Sequence, residues 1–190
     1  WNLWQQYSGF TGELPPTAEE FNNLPTYETL TSLSMEDIIA WFDAHHDAIL
    51  VTDKITDFKK LSAEFPYPER LIVEVFTLND YILAHEEGIR YPLLSLEATS
   101  SGPDGEWLLN FIIVNKVPMA VLNIVSTEVY HDELTAINKN GGYIFANTSN
   151  EIEYLPSHPE LFGVYTDTIN FTTMTVGPIS NDALHLTNQN

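Results

Sequence analysis

The chain has 190 residues, of which 44% are hydrophobic and 12% aromatic, so it is long enough and apolar enough to bury a substantial core. Its 27 acidic residues outnumber 7 basic ones and give a net charge of −20, which repels phosphate backbones and anionic lipid surfaces and argues against nucleic-acid binding. Cysteine is absent, which excludes disulfides and thiolate chemistry, and no apolar run reaches the ~18 to 20 residues that a membrane-spanning helix needs.

Short strands are predicted at near-regular spacing from residue 46 onward. Each is an apolar segment whose last positions are polar, and segments with helical spacing separate one from the next. Strands that alternate with helices in this way are typical of parallel βαβ units. The predicted strands are Ala48–Asp53, Leu71–Phe76, Pro92–Glu97, Pro118–Asn123, Tyr143–Thr148 and Phe162–Asp167.

The helices between these strands have recognisable starts. A Ser or Thr with an acid three residues later forms a capping box, because the two side chains satisfy backbone donors that the first turn leaves free. Ser34 with Asp37 and Thr77 with Asp80 fit this pattern, whereas Ser126 offers only the cap. The sequence therefore predicts an α/β fold of parallel βα repeats of the TIM-barrel type, with six of the eight units present.

Polar residues at the carboxyl ends of the strands are the candidate site, because these ends line the active site of parallel α/β barrels. Residues that face the outer helices must be apolar, so Val73 and Val75 are predicted to point outward and Glu74 inward. The same alternation places Ser95 and Glu97 on the inner face. The predicted mouth of the barrel consists of Glu74, Glu97, Asn123, Asn147 and Asp167.

Each of these residues also has a purely structural interpretation. Asn123, Asn147 and Asp167 follow strands, where such side chains often cap the next helix. Glu74 lies between valines, and an unpaired carboxylate in a dry interior costs several kcal/mol, so it should have a cation or a lysine as partner. That partner could equally belong to a structural ion pair.

The first strand ends in an acid and a base side by side, Asp53 and Lys54. Adjacent strand residues point to opposite faces, so both cannot enter the barrel unless the chain is already turning. If Ile49 and Val51 pack on helices, Lys54 faces inward and can reach Glu74; the opposite register puts Asp53 inside.

The chain carries five motifs in this order: residues 16–21 (PTAEEF), Leu33–Ile39, Val51–Lys54, Phe145–Glu151 and Phe162–Asp167. Together they resemble the glycerophosphodiester phosphodiesterase family. The resemblance follows a Trp-rich start and depends on the order and spacing of motifs, none of which is specific alone. It runs from Trp1 to about Phe171, so residues 1–171 are predicted to form the C-terminal part of such a barrel and residues 172–190 a C-terminal extension.

The resemblance implies a (βα)8 barrel that cleaves glycerophosphodiesters, small phosphodiester substrates, with a divalent metal ion, Ca²⁺ or Mg²⁺. On this sequence it implies that Lys54 is catalytic and stabilises the developing phosphoryl charge, with Asp53 and Glu74 at the metal. Glu97 and Asn147 would contact the glycerol or its substituent. A membrane-anchored or extracytoplasmic parent protein is slightly favoured over a cytoplasmic one.

The chain departs from the family pattern in two ways. The family's catalytic histidines, in H-R-G and H-D segments, and its E-x-D metal ligands are expected upstream of Trp1. Thr52 stands where the family has the acid that precedes its lysine, and Asp53 is displaced by one position, which argues against metal ligation by this strand.

These departures set the expectations for the whole molecule. Missing N-terminal strands or a partner chain are expected to complete the barrel, because an open parallel edge invites pairing. The chain by itself is expected to be inactive. The alternative function is a non-catalytic TIM-barrel binding or scaffolding module. A doubly wound α/β domain is a third possibility, which the lack of a Gly-rich phosphate loop disfavours.

Overall fold

The computed structural model describes residues 2–27, 30–96, 105–151 and 153–166. Three predictions therefore lie outside the described residues: Glu97, Asp167 and the extension 172–190. The chain divides into two compact units, Trp1–Ala48 with Glu64–Pro66, and Ile49–Ala63 with Tyr67–Asn190. Among the described residues, no helix combines the length and the apolar character that crossing a membrane requires.

The N-terminal unit packs around Trp4, whose ring centroid lies 5.0 Å from that of Phe10 and 5.5 Å from that of Phe21. A capping box that the sequence analysis missed, Thr17 with Glu20, starts its second helix. The predicted box at Ser34 is confirmed, since the Asp37 amide donates to Ser34 Oγ at 3.1 Å. The elements are α1 (Asn2–Ser8), α2 (Ala18–Asn23), the antiparallel strands β1 (Pro25–Tyr27) and β2 (Leu30–Thr31), and α3 (Met35–Ala44).

The second unit contains the predicted parallel sheet. Within the described residues, six strands pair in chain order, all parallel, and the sheet curls into a half-barrel with helices around it. The strands are β3 (Leu50–Thr52), β4 (Leu71–Val75), β5 (Tyr91–Ser95), β6 (Met119–Asn123), β7 (Tyr143–Asn147) and β8 (Gly163–Val164). All six predicted strands are confirmed, with ends that coincide or differ by up to three residues.

Helices follow the strands as a βα repeat requires. Helices α5, α7 and α8 contact strands β4 to β7. The helices are α4 (Phe58–Glu64), α5 (Leu78–Glu86), α6 (Gly105–Asn115), α7 (Ile124–Val129), α8 (His131–Lys139) and α9 (Tyr154–Ser157), with a 3-10 turn at Pro68–Arg70.

The two faces of the sheet are both buried, as expected of parallel strands. Residues in register point to the same face, and the inner face carries an apolar cluster of Ile72, Tyr91, Leu93, Met119 and Val121. The alternate residues, among them Val73, Leu94 and Ala120, are fully buried on the other face. The predicted alternation is therefore confirmed. Glu74 lies on the inner face and Val73 and Val75 on the outer one.

The predicted cap at Thr77 is confirmed, because the Asp80 amide donates to Thr77 Oγ1 at 3.0 Å. The predicted cap at Ser126 is wrong. Helix α7 already begins at Ile124, and Ser126 lies in its first turn, where its amide donates to Asn123 Oδ1 at 2.8 Å. The side chain of Asn123, three residues upstream, accepts from that amide, so Asn123 caps the helix in place of Ser126.

Candidate functional site

A pocket of about 450 Å³ opens at the carboxyl end of the parallel strands. Its walls come from the ends of β3 and β4 and from the segments that follow β7 and β8. This is the position that active sites occupy in parallel α/β barrels. The lining residues are Val51, Thr52, Asp53, Glu74, Thr148, Tyr165 and Thr166.

Asp53 and Lys54 meet at the rim because the chain turns directly after β3. The strand ends at Thr52, and Lys54 has a φ of 55°, in the left-handed region that side chains other than glycine seldom adopt. The Lys54 ammonium donates to Asp53 Oδ2, and this hydrogen bond raises the pKa of Lys54. Both residues are therefore at the same mouth, with the Lys54 side chain 80% exposed.

The register between β3 and β4 decides between the two alternatives for Asp53. Ile49 packs against the inner apolar cluster, and Thr52 is aligned with Val73, so Asp53 is aligned with Glu74. The alternative with Asp53 inside is correct. Asp53 directly follows β3, Glu74 lies on the neighbouring strand β4, and both line the same pocket.

Glu74 is 9% exposed and has hydroxyl groups as its direct partners. The Tyr165 hydroxyl donates to Glu74 Oε2 at 3.3 Å, and the Ser95 side chain also hydrogen-bonds to the carboxylate. Burial raises the pKa of Glu74 above the usual 4.5, and it outweighs the lowering by these hydrogen bonds. Of the two expected partners of Glu74, the lysine is corrected, since Lys54 bonds to Asp53 and acts on Glu74 through its charge. A bound cation as partner stays a prediction.

Tyr165 is a site residue that the sequence analysis did not select. Its amide donates to Ala146 O at 2.8 Å and its carbonyl accepts from the Ser149 amide at 2.9 Å, so β7 and the following loop fix its backbone. Burial, and then the charge of Glu74, raise the pKa of Tyr165, which keeps the hydroxyl protonated as a donor. The sequence did carry a signal for Tyr165, its inner-face position in the predicted strand Phe162–Asp167.

The two asparagines at the strand ends have different roles. Asn123 caps α7, which confirms its structural interpretation. Asn147 is aligned with Asn123 and half-buried at the end of β7, but helix α9 begins with Glu153 as its N-cap, so the capping interpretation of Asn147 is wrong. Asn147 is not among the described residues that line the pocket. Its assignment to substrate stays a prediction.

This difference gives a matched pair of variants. Asn123→Ala is expected to lower the free energy of unfolding by about 1 kcal/mol, because the first turn of α7 loses its cap. Asn147→Ala, at the aligned position of the next strand, removes no cap and should cost clearly less. Urea denaturation of both variants measures the difference, and equal losses would contradict the assigned roles.

The number of carboxylates in the pocket bears on the choice between Mg²⁺ and Ca²⁺. Mg²⁺ is commonly held by one or two carboxylates together with substrate phosphate and water, whereas Ca²⁺ takes about six to eight oxygen ligands. Asp53 and Glu74 supply two carboxylates in one pocket, and no group of three or more His, Asp or Glu ligands occurs within the described ranges. As donors, two carboxylates are of the type that magnesium takes when water or substrate oxygens complete its coordination.

Comparison with known proteins adds no family assignment. No protein-family model matches the chain, and no curated protein matches it.

Proposed function

We propose that this chain carries the larger part of a TIM-barrel phosphodiesterase site, and that its pocket binds a small phosphodiester of the glycerophosphodiester class. The observation that supports the proposal most directly is the pocket at the strand ends, which combines two carboxylates with the neighbouring Lys54 ammonium. The order of motifs along the sequence points to the same class of substrate.

The residues divide into a phosphate side and an alcohol side. Lys54, at the exposed rim, would face a phosphoryl oxygen and counter its charge, while Asp53 holds the ammonium in place. Thr148 and Thr166 line the pocket from the segments that follow β7 and β8. The Thr148 hydroxyl would hydrogen-bond to a polyol, and Thr166 Oγ1, which donates to Asn150 Oδ1 at 3.0 Å, would accept from one.

Asp53 and Glu74 would hold the divalent ion. When bound, the ion would supply Lewis-acid polarisation of a phosphoryl oxygen. Burial and the nearby Asp53 carboxylate both disfavour the negative charge of Glu74, so a bound cation would stabilise the ionised carboxylate. Tyr165 and Ser95 keep the Glu74 carboxylate oriented.

A non-catalytic binding barrel is the second candidate, and one observation favours it. Hydrolysis by this class of enzyme needs a general acid and base, and none of the described lining residues is a histidine. In the same unit, His85 contacts Tyr81, His131 lies beside Glu160, and His158 stacks on Tyr154. The chain by itself is therefore expected to bind the diester without cleaving it, and metal-dependent turnover above the blank would contradict this.

Titration with glycerophosphocholine in the presence of MgCl2, followed by calorimetry and by NMR, tests the proposal. We expect saturable binding that shifts the signals of Thr148 and Thr166. Lys54→Met should weaken binding roughly tenfold, because one charge-assisted contact to the phosphate is lost. Lys59→Met, an exposed lysine on α4, is the matched control and should bind as the original chain does. Equal affinity of the two variants would overturn the role of Lys54, and absence of binding would overturn the proposal.

A further inference from the structure

The wall of the pocket that follows β8 consists of two consecutive residues with hydroxyl groups, Tyr165 and Thr166. Each hydroxyl donates its hydrogen to a group of the protein. The Tyr165 hydroxyl donates to Glu74 Oε2 at 3.3 Å, and Thr166 Oγ1 donates to Asn150 Oδ1 at 3.0 Å. Because a hydroxyl has a single hydrogen, a hydroxyl that already donates can meet a ligand only as an acceptor. This wall therefore favours a ligand that brings hydrogen-bond donors.

Asn150 lies in the loop after β7 and is not among the described residues that line the pocket. Both of its neighbours in the chain are held in place. The Ser149 amide donates to the Tyr165 carbonyl at 2.9 Å, and the Glu151 amide donates to Ser149 Oγ at 3.2 Å. Ser149 is also buried. Asn150 is thus fixed beside the segment that carries Thr166, and it would act on a ligand through Thr166.

The two hydroxyls of this wall are oriented by different kinds of acceptor. Glu74 lines the pocket and is assigned to the divalent ion, so a change there alters several groups at once. Asn150 is exposed and uncharged and lies outside the described lining. Removal of its oxygen would leave every lining residue in place and would let the Thr166 hydroxyl rotate and donate to a ligand. Asn150 is therefore the position at which the polarity of this wall can be changed alone.

We propose that Asn150 is a positioning residue that determines which alcohols the pocket accepts. Because it takes the hydroxyl hydrogen of Thr166, it leaves the Thr166 oxygen as an acceptor for a hydroxyl of the ligand. An ether or ester oxygen at the same place cannot donate, so the pocket should discriminate against it. Asn150 can select among phosphodiesters only if the pocket binds them, so this role rests on the proposed function.

Calorimetric titration of the full chain in MgCl2, with glycerophosphocholine and with each of its two mono-O-methyl ethers, tests the proposal. We expect at least one ether to bind about three- to tenfold more weakly than the diester, as loss of one neutral hydrogen bond predicts. Thr166→Val has a side chain of similar shape that neither donates nor accepts, so its ratio of affinities gives the steric cost of the methyl group. Asn150→Ala should lower the ratio to that of Thr166→Val or below, with little change in the affinity for the diester.

Asn150→Asp is the conservative variant that should restore the discrimination, because an oxygen acceptor is retained. Its added charge acts on the diester and its ethers alike and cancels in the ratio. Asn140→Ala, which removes an exposed asparagine at the end of α8, is the matched control and should keep the ratio of the original chain.

A ratio that survives in Asn150→Ala, or that is lost in Asn150→Asp, would overturn the role of Asn150. Equal binding of the diester and both ethers by the original chain would overturn it as well, while leaving the proposed function intact. Failure of the original chain to bind the diester at all would overturn the proposed function, and the role of Asn150 with it.

Discussion

Leu94→Ala is expected to lower the free energy of unfolding of the sheet unit by about 2–5 kcal/mol. Leu94 lies in β5, in the interior of the six-stranded sheet, and is fully buried on the face opposite the pocket. It is aligned with Ala120, which is also fully buried, so the neighbouring side chain is too small to fill the space that the substitution leaves. The lost transfer free energy and the residual cavity then add.

Leu83→Ala is the matched control for this prediction. Leu83 is 40% exposed on α5, in the same unit, and alanine is a favourable helix residue there, so the cost should stay below about 1 kcal/mol. Denaturant unfolding, monitored by a probe within the sheet unit, measures both variants. Similar losses for the two would mean that Leu94 is not part of a closely packed core.

Tyr165→Phe is expected to lower the free energy of unfolding by about 1–2 kcal/mol at neutral pH, because Glu74 loses the donor that lies 3.3 Å away. The hydrogen bond from Tyr165 lowers the pKa of Glu74, which means that the hydroxyl stabilises the ionised carboxylate more than the neutral one. The loss should therefore be larger above the pKa of Glu74 and smaller near pH 4.5, the usual glutamate value.

A double-mutant cycle with Glu74→Gln isolates this contact. Because burial raises the pKa of Glu74 in the folded chain, the folded state holds its proton over a pH range in which the unfolded state has released it. The penalty for burying the charge is absent below the unfolded pKa, grows as pH rises and is complete above the folded pKa. Glu74→Gln should remove this decline, so it should be more stable than the original chain at alkaline pH.

Urea denaturation across this pH range measures all four chains of the cycle. In the Glu74→Gln background, Tyr165→Phe should cost less than it does beside the carboxylate. An equal cost in both backgrounds, or no pH dependence, would show that Tyr165 contributes through packing alone.

The local sequence pattern was sufficient to predict the strands of the parallel sheet. Strands such as Leu71–Val75 were predicted because apolar residues bounded by turns and caps are a property of a few consecutive positions. The caps at Ser34 and Thr77 were equally local, since each depends on two residues three positions apart. The cap at Thr17 carried the same signal and was overlooked. The hairpin of β1 and β2 was not predicted, because its strands of three and two residues are too short to show a period.

The sequence by itself determined which face each strand residue occupies, because side chains alternate along a strand whatever lies beyond it. It therefore placed Glu74 on the inner face and at the mouth of the sheet. Only the tertiary structure decided which groups meet there. The Tyr165 hydroxyl reaches Glu74 from 91 residues away, and the turn at Lys54 brings the ammonium to Asp53 instead of Glu74. The physical reason is that such contacts depend on the curl of the sheet and the direction of each turn, which arise from the packing of all the strands together.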